Sequence, residues 1–265
     1  MAPRAKRRLG QHFLTDPRLL ARIADALGAG PADTVLEIGP GPGGLTAALA
    51  ERAGRLVAIE KDADLIPALR QRFPAATIVQ GDALALDWRA VAGEPFLVAG
   101  NIPYNITSPL LDKALDPPRP GRIVFLVQKE VADRVSAAAG DPDYGALSVG
   151  VQSVARVERL FTVPAGAFQP RPKVDSAVLR LTPLADPLVA AEAQAGFRRL
   201  VVGLFGFRRK QMARGLRELT GWSAGPAHAA LEQSGIAPDV RPEVLAPEAF
   251  VRLQRVLVDG GWAGR

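Results

Sequence analysis

Short apolar runs rich in β-branched residues alternate with stretches of helical spacing over the first two-thirds of the chain. Five such runs read as strands: 33–38 (DTVLEI), 55–59 (RLVAI), 77–80 (TIVQ), 96–101 (FLVAGN) and 122–127 (RIVFLV). They are short and almost continuously hydrophobic, as strands covered on both faces of a sheet are. Asp16 followed by Pro17 opens an amphipathic helix to about residue 27, with the carboxylate as cap and proline in the first turn. A further helix is expected at 128–134. Two strand-like stretches, 149–160 and 177–181, would complete a seven-stranded sheet. The period then changes. After a Pro-rich linker at 182–187, helical spacing covers 188–204, 208–219, 227–234 and 247–258, with Gly and Pro breaks between. The pattern predicts an α/β, doubly wound domain at 1–183 and a small all-α domain at 184–265.

The residues that end the strands carry the candidate chemistry. The first strand runs into Gly39-Pro40-Gly41-Pro42-Gly43-Gly44, where glycine lets the backbone approach a ligand closely. Gly39, Gly41 and Gly44 satisfy G-x-G-x-x-G, which suits NAD and other adenosine cofactors alike. Glu60 ends the second strand, nineteen residues beyond Gly41, where a carboxylate can accept from both ribose hydroxyls. Asp82 follows the third strand and is placed to accept from an adenine amino group. Asn101 ends the fourth. Acidic or amide side chains at successive carboxyl ends describe a ligand lying across the sheet.

Asn101-Ile102-Pro103-Tyr104 is the turn on which the reading depends. Pro103 holds Ile102 extended, so the Ile102 carbonyl and the Asn101 side-chain carbonyl can face one point, two acceptors for one amino group. Tyr104 offers a face on which a base can stack. This tetrapeptide resembles the Asn/Asp-x-Pro-Tyr element of amino-directed methyltransferases, which implies methyl transfer to an adenine N6. Downstream, the proline-stiffened segment 161–176 contains Phe168, either a core residue or the second wall against a base held by Tyr104.

Composition narrows the classes. Apolar residues at 48% and charged residues at 23% support a folded core. With no cysteine there is no disulfide, thiolate metal site or cysteine nucleophile, which sets aside cytosine-C5 chemistry, and His12 and His228 alone disfavour a zinc site. No apolar run approaches the ~18 residues of a membrane span, so a soluble, cytoplasmic protein is expected. The net charge of +6 is concentrated. Arg4, Lys6, Arg7 and Arg8 precede the first helix. Seven basic residues and no acid lie between Arg198 and Arg217, among them Arg208, Arg209, Lys210 and Arg214. A polyanionic partner is expected.

Ten stretches in order resemble the KsgA/RsmA family of ribosomal RNA adenine dimethyltransferases: GQHFL (10–14), EIGPGPGGLT (37–46), IEKD (59–62), GDAL (81–84), NIPYNI (101–106), QKEVADR (128–134), YGALSV (144–149), FQPRPKVDSAV (168–178), RRK (208–210) and a terminal R-x-E-x-L pattern at 241–245. The sequence departs from that pattern after Lys210 and at Pro242. The resemblance implies a Rossmann-like class I methyltransferase that uses S-adenosylmethionine and no metal. Gln11, His12 and Leu14 would then lie against the cofactor, with Gly39 and Gly41 beside its methionine part. Glu60 would take the ribose, Asp82 and Ala83 the adenine, and Asn101 both cofactor and target. Tyr104 and Phe168 would hold the flipped base. The substrate implied is two adjacent adenines in the 3′-terminal hairpin of 16S rRNA in the small ribosomal subunit, met by a monomer away from membranes. Alternatives are an Erm-type methyltransferase of large-subunit rRNA, an NAD oxidoreductase, which leaves GQHFL and NIPY unexplained, and a non-catalytic assembly factor on the same scaffold.

Overall fold

The computed structural model describes residues 10–262. Its strands are β1 (Phe13–Leu14), β2 (Thr34–Ile38), β3 (Arg55–Glu60), β4 (Thr77–Gln80), β5 (Leu97–Asn101), β6 (Ile123–Gln128), β7 (Ala155–Val163), β8 (Phe168–Gln169) and β9 (Ser176–Pro183). Helix α1 (Pro17–Leu27) precedes β2, helices α2 (Gly44–Ala50), α3 (Ile66–Arg72), α4 (Trp88–Ala92) and α5 (Thr107–Leu115) fall between the parallel strands, and α6 (Lys129–Ser136) and α7 (Ala146–Gln152) follow β6. The C-terminal helices are α8 (Gln194–Gly206), α9 (Met212–Thr220), α10 (Ala224–Gln233) and α11 (Pro247–Asp259). Among the described residues no helix is long and apolar enough to cross a membrane.

Seven strands form one sheet in the order β4-β3-β2-β5-β6-β9-β7, parallel from β4 to β6 and antiparallel between β6 and β9. Strand order reverses between β2 and β5, so the crevice beyond their carboxyl ends is where such a sheet binds ligands. The registers Ile38↔Gly100 and Ile38↔Ile59 bring the Gly-rich turn, Glu60 and Asn101 to that one edge. Asp16 caps α1 as expected, accepting from the Arg18 and Leu19 amides. The helix buries Ile23 and Leu27 in a core with Val35, Leu49, Val124 and Leu126.

The chain divides into two compact units, and the division is not sequential. The first runs to Ala132 and resumes at Val157–Pro183; the second takes Asp133–Arg156 together with Leu184 onward. A boundary at 183 alone therefore leaves out an insert that packs with the tail. Tyr144, 1% exposed, donates to the Leu245 carbonyl at 2.8 Å and meets Phe205 edge-on at 6.0 Å. Val149, expected to begin a strand, is instead helical. Ser148 holds that helix start, its hydroxyl accepting from the Gly145 amide and donating to the Arg134 carbonyl. The helix expected from 188 begins at Gln194 after a 3-10 turn at Ala191–Ala193. That expected from 208 begins at Met212, because α8 ends at Gly206 and Arg208, Arg209 and Lys210 form the turn between helices.

Gly100 tests how tightly the crevice is built. A Cβ there would lie 2.7 Å from the Ile38 carbonyl oxygen and 2.8 Å from Ile102 Cδ1. Gly100→Ala is expected to destabilise the protein by about 1–3 kcal/mol, the usual range for overpacking, measured by urea denaturation.

Candidate active site

The cleft at the carboxyl ends of the parallel strands is lined by four groups of residues. They are the 10–14 segment, the end of β2 with the Gly-rich turn after it, the acids that end β3 and follow β4, and the turn that follows β5. Of the expected site residues, Gln11, His12, Leu14, Gly39, Gly41, Glu60, Asp82, Ala83, Asn101, Ile102, Pro103 and Tyr104 all line it.

Gly39 and Gly41 adopt positive φ, 66° and 57°, which non-glycine residues rarely hold. A Cβ on Gly39 would meet nothing within 4 Å, so that side of the turn is open cradle, whereas one on Gly41 would touch the Phe13 ring at 3.0 Å. Glu60 ties the turn to β3: its carboxylate accepts from the Gly41 amide at 3.0 Å and the Asp62 amide at 2.7 Å. Burial raises its pKa and these amide bonds oppose the rise. Asp82 accepts from Lys61 Nζ at 2.7 Å and the Leu84 amide at 2.9 Å, and the lysine hydrogen bond is the main reason its pKa is lowered. Trp88 Nε1 donates to the Ala83 carbonyl at 2.8 Å and fixes the chain beside Asp82.

Asn101 Nδ2 donates to the His12 carbonyl at 2.8 Å. With the amide nitrogen committed there, its oxygen is left to accept from a ligand. The Ile102 amide is bound to the Leu126 carbonyl, which anchors the extended step before Pro103. Tyr104 donates to or accepts from Ser176 Oγ at 2.8 Å, and burial pushes its phenol above the usual range, keeping it neutral. Its ring is not bare: the His12 ring stacks on it, 5.4 Å between centroids and 25° between planes.

Phe168 lies apart from these residues. It is 3% exposed and packs in the core with Leu14, Ile23, Leu45 and Val178, because β8 pairs antiparallel with β1 and sets Phe168 opposite Leu14. It is not among the residues that line the cleft. Arg208 and Arg209 are exposed on their turn; Arg208 pairs with Glu243 at 3.2 Å, while Lys210 and Arg214 approach Glu218 at 2.9 and 3.9 Å. Arg4, Lys6, Arg7 and Arg8 lie outside the described residues.

Glu37 is absent from the expected site, although an acid inside an otherwise apolar strand was the available signal. It is 1% exposed, lines the cleft, and its Oε2 has no hydrogen-bond partner among the described residues. Burial raises its pKa to about 8, opposed by the Thr46 side chain and helped by a smaller push from the Glu60 carboxylate. An open glycine cradle, an unsatisfied acceptor and two carboxylates at one edge fit a cationic adenosine cofactor.

The family model for ribosomal RNA adenine dimethylase matches residues 2–258. A Geobacter metallireducens protein named Ribosomal RNA small subunit methyltransferase A is 46% identical over 264 residues, 96% of either chain. An Aromatoleum aromaticum protein of the same name is 43% identical over 253 residues, 94% of this chain and 93% of its own. Among solved structures, a Plasmodium falciparum dimethyladenosine transferase matches with TM-score 0.79 and 25% identity, over 95% of this chain and 99% of that one. The 23S rRNA methyltransferase ErmE matches with TM-score 0.71 and 31% identity, over 93% and 99%.

Glu37 makes stability pH-dependent in a defined direction. Its folded pKa, about 8, lies above its ordinary 4.5, so between those values the folded state holds a proton that the unfolded state has lost, and stability falls as pH rises. In Glu37→Gln this contribution is removed. Thermal melts of the two proteins from pH 5 to 9 are expected to diverge in favour of the variant as pH rises.

Proposed function

The chain belongs to the ribosomal RNA adenine dimethylases, and we propose that its cleft transfers methyl groups from S-adenosylmethionine to the N6 atoms of two adjacent adenines in the 3′-terminal hairpin of 16S rRNA. It is an rRNA adenine dimethyltransferase, and relatives at 42–46% identity carry the small-subunit name. The large-subunit alternative draws on a more distant likeness, ErmE at 31%. We place the reaction on the small ribosomal subunit in the cytoplasm, with the protein acting as a monomer.

The observation that carries this reading is the amide of Asn101, oriented by the His12 carbonyl in the same cleft as Glu60 and Asp82. An adenine amine is a poor nucleophile because its lone pair is delocalised into the ring. Asn101 Oδ1 and the Ile102 carbonyl accept its N–H bonds, which pyramidalises the nitrogen and aims the lone pair. As positive charge develops on nitrogen, the same two oxygens stabilise it. Tyr104 supports the base by stacking, and extruding a loop base costs only a few kcal/mol. When bound, S-adenosylmethionine supplies an electrophilic methyl on a sulfonium. Glu60 would hold its ribose, Asp82 and Ala83 its adenine, and Gly39, Gly41 and Glu37 its charged methionine end, with Gln11, His12 and Leu14 closing over it.

Basic residues provide the affinity. Arg208, Arg209, Lys210 and Arg214 would bind rRNA phosphates, joined by Arg4, Lys6, Arg7 and Arg8 of the N-terminal arm. Phosphate contacts are sequence-independent and salt-sensitive, so catalysis and affinity separate by mutation.

Asn101→Ala is expected to reduce methyl transfer to undermodified small subunits by at least about 100-fold, the scale of losing an oriented transition-state hydrogen bond, while subunit binding changes little. Incorporation of tritiated methyl groups measures the first and filter binding the second. Replacing Arg208, Arg209 and Lys210 together by Gln is expected to flatten the slope of log Kd against log salt by about 0.7–0.9 for each phosphate no longer neutralised. A filter-binding titration in potassium chloride reads that slope.

A further inference from the structure

We infer that Lys61 is a latch on the cleft: in the free protein it occupies the Asp82 carboxylate, and the exocyclic amine of the cofactor's adenine has to displace it. The inference rests on the assignment of Asp82 to that adenine. Both oxygens of the carboxylate are engaged before a ligand arrives. Oδ1 accepts from the Leu84 amide at 2.9 Å and Oδ2 from Lys61 Nζ at 2.7 Å. The Leu84 amide belongs to the backbone and stays. The ammonium is free to leave, because the Lys61 side chain lines the same cleft yet is 59% exposed, and a change in its torsions carries it into solvent. Oδ2 is therefore the oxygen that can be handed to a purine amine, and it is the one the lysine covers.

The surroundings permit this exchange without repacking. The backbone on either side is pinned, the Gly81 amide on the Glu60 carbonyl at 2.9 Å and the Asp62 amide on the Glu60 carboxylate at 2.7 Å. Lys113, a second cation near Asp82, is committed elsewhere: its Nζ donates to the Leu84 carbonyl at 2.9 Å. Its charge stays beside Asp82 when Lys61 leaves, so the carboxylate keeps a counter-charge. The latch also has a chemical sense. Asp82 accepts and suits an amino group at purine C6, whereas the lysine donates and suits a carbonyl there. An adenine has to open the pair, and a 6-oxopurine gains a donor from it when it stays closed. Lys61 thus makes the cleft bind adenine less tightly, and select it less strictly, than Asp82 alone would.

Two variants test this. Lys61→Met keeps the aliphatic stem and removes the donor, and Lys61→Arg keeps the charge. The probes are S-adenosylhomocysteine and its 6-oxo analogue S-inosylhomocysteine, neither of which carries net charge, so a general change in the charge of the cleft acts on both alike. By calorimetry at low ionic strength, Lys61→Met is expected to bind the adenosyl compound about 1.5- to 5-fold more tightly than wild type, the scale of an exposed ion pair that no longer has to open. It is expected to bind the inosyl compound at least about twofold more weakly, having lost a charged donor, while Lys61→Arg stays close to wild type. Opposite movements separate a latch from a merely structural role, since lost packing weakens both ligands. In about 1 M potassium chloride, where the Debye length is ~3 Å, the gain for the adenosyl compound is expected to fade. The latch is overturned if Lys61→Met binds the adenosyl compound no more tightly than wild type, if the two ligands move together, or if the gain is undiminished by salt. Asp82→Asn separates the latch from the reading it rests on. Weakened S-adenosylhomocysteine binding in Asp82→Asn beside an unchanged affinity in Lys61→Met removes the latch and leaves the cofactor assignment standing. Failure of the wild-type protein to bind S-adenosylhomocysteine brings down the cofactor assignment, and the latch with it.

Discussion

The hydrogen bond from Asn101 to the His12 carbonyl is the constraint that turns a strand end into a site. A primary amide in a cleft offers donors and an acceptor in two interchangeable orientations. Fixing the nitrogen against a backbone carbonyl selects one of them and turns the oxygen toward a ligand that donates. The carbonyl is itself in place because β1 pairs with β8 and Thr15 is tied to Ala167. Asn101 is in place because β5 lies between β2 and β6. Two elements distant in sequence, 89 residues apart at this bond, therefore have to be assembled before the amide has a direction.

Charge in the cleft follows from the same edge. Three carboxyl groups, Glu37, Glu60 and Asp82, gather where parallel strands end, but their environments differ. Asp82 has a lysine and stays on the ionised side; Glu60 has two backbone amides; Glu37 has burial and little else. Burying an acid with an unsatisfied oxygen costs free energy, and on the proposed reading the positive charge of S-adenosylmethionine would offset that cost. The glycine turn completes the arrangement by keeping side chains away from the space above Gly39.

Much of this was legible in the sequence because the signals were local. Strand ends, the glycine run, Glu60, Asp82 and the Asn-Ile-Pro-Tyr turn each depend on a few consecutive residues, and the sheet brings them together as the α/β pattern requires. What escaped was set by distant partners. Val149 is β-branched, yet it lies in a helix started by Ser148 against Arg134. Phe168 sits beside a proline-rich loop and reads as available, but β1 covers it. Residues 133–156 sit within the sheet-forming part of the sequence and pack with the tail through Tyr144. The RRK run reads as helix and is a turn, because Gly206 ends the preceding helix first. Glu37 was visible as a letter in TVLEI, while its unsatisfied oxygen was visible only in three dimensions.

Dimethylation adds a demand that a single transfer does not. On the proposed reading an unmodified adenine amine offers two N–H donors to Asn101 and Ile102, and the monomethylated intermediate offers one. Amine recognition therefore weakens between the first and second transfer while the base must stay equally well placed. Contacts that do not count protons have to compensate, and stacking is such a contact, since every purine has a face whatever its N6 carries. On the proposed reading the Tyr104 ring, which lines the cleft beside Asn101 and Ile102, supplies that face. On that reading the hydrogen-bonding pair selects an amine over other groups, and stacking on Tyr104 holds the base while that selection loses one of its two bonds.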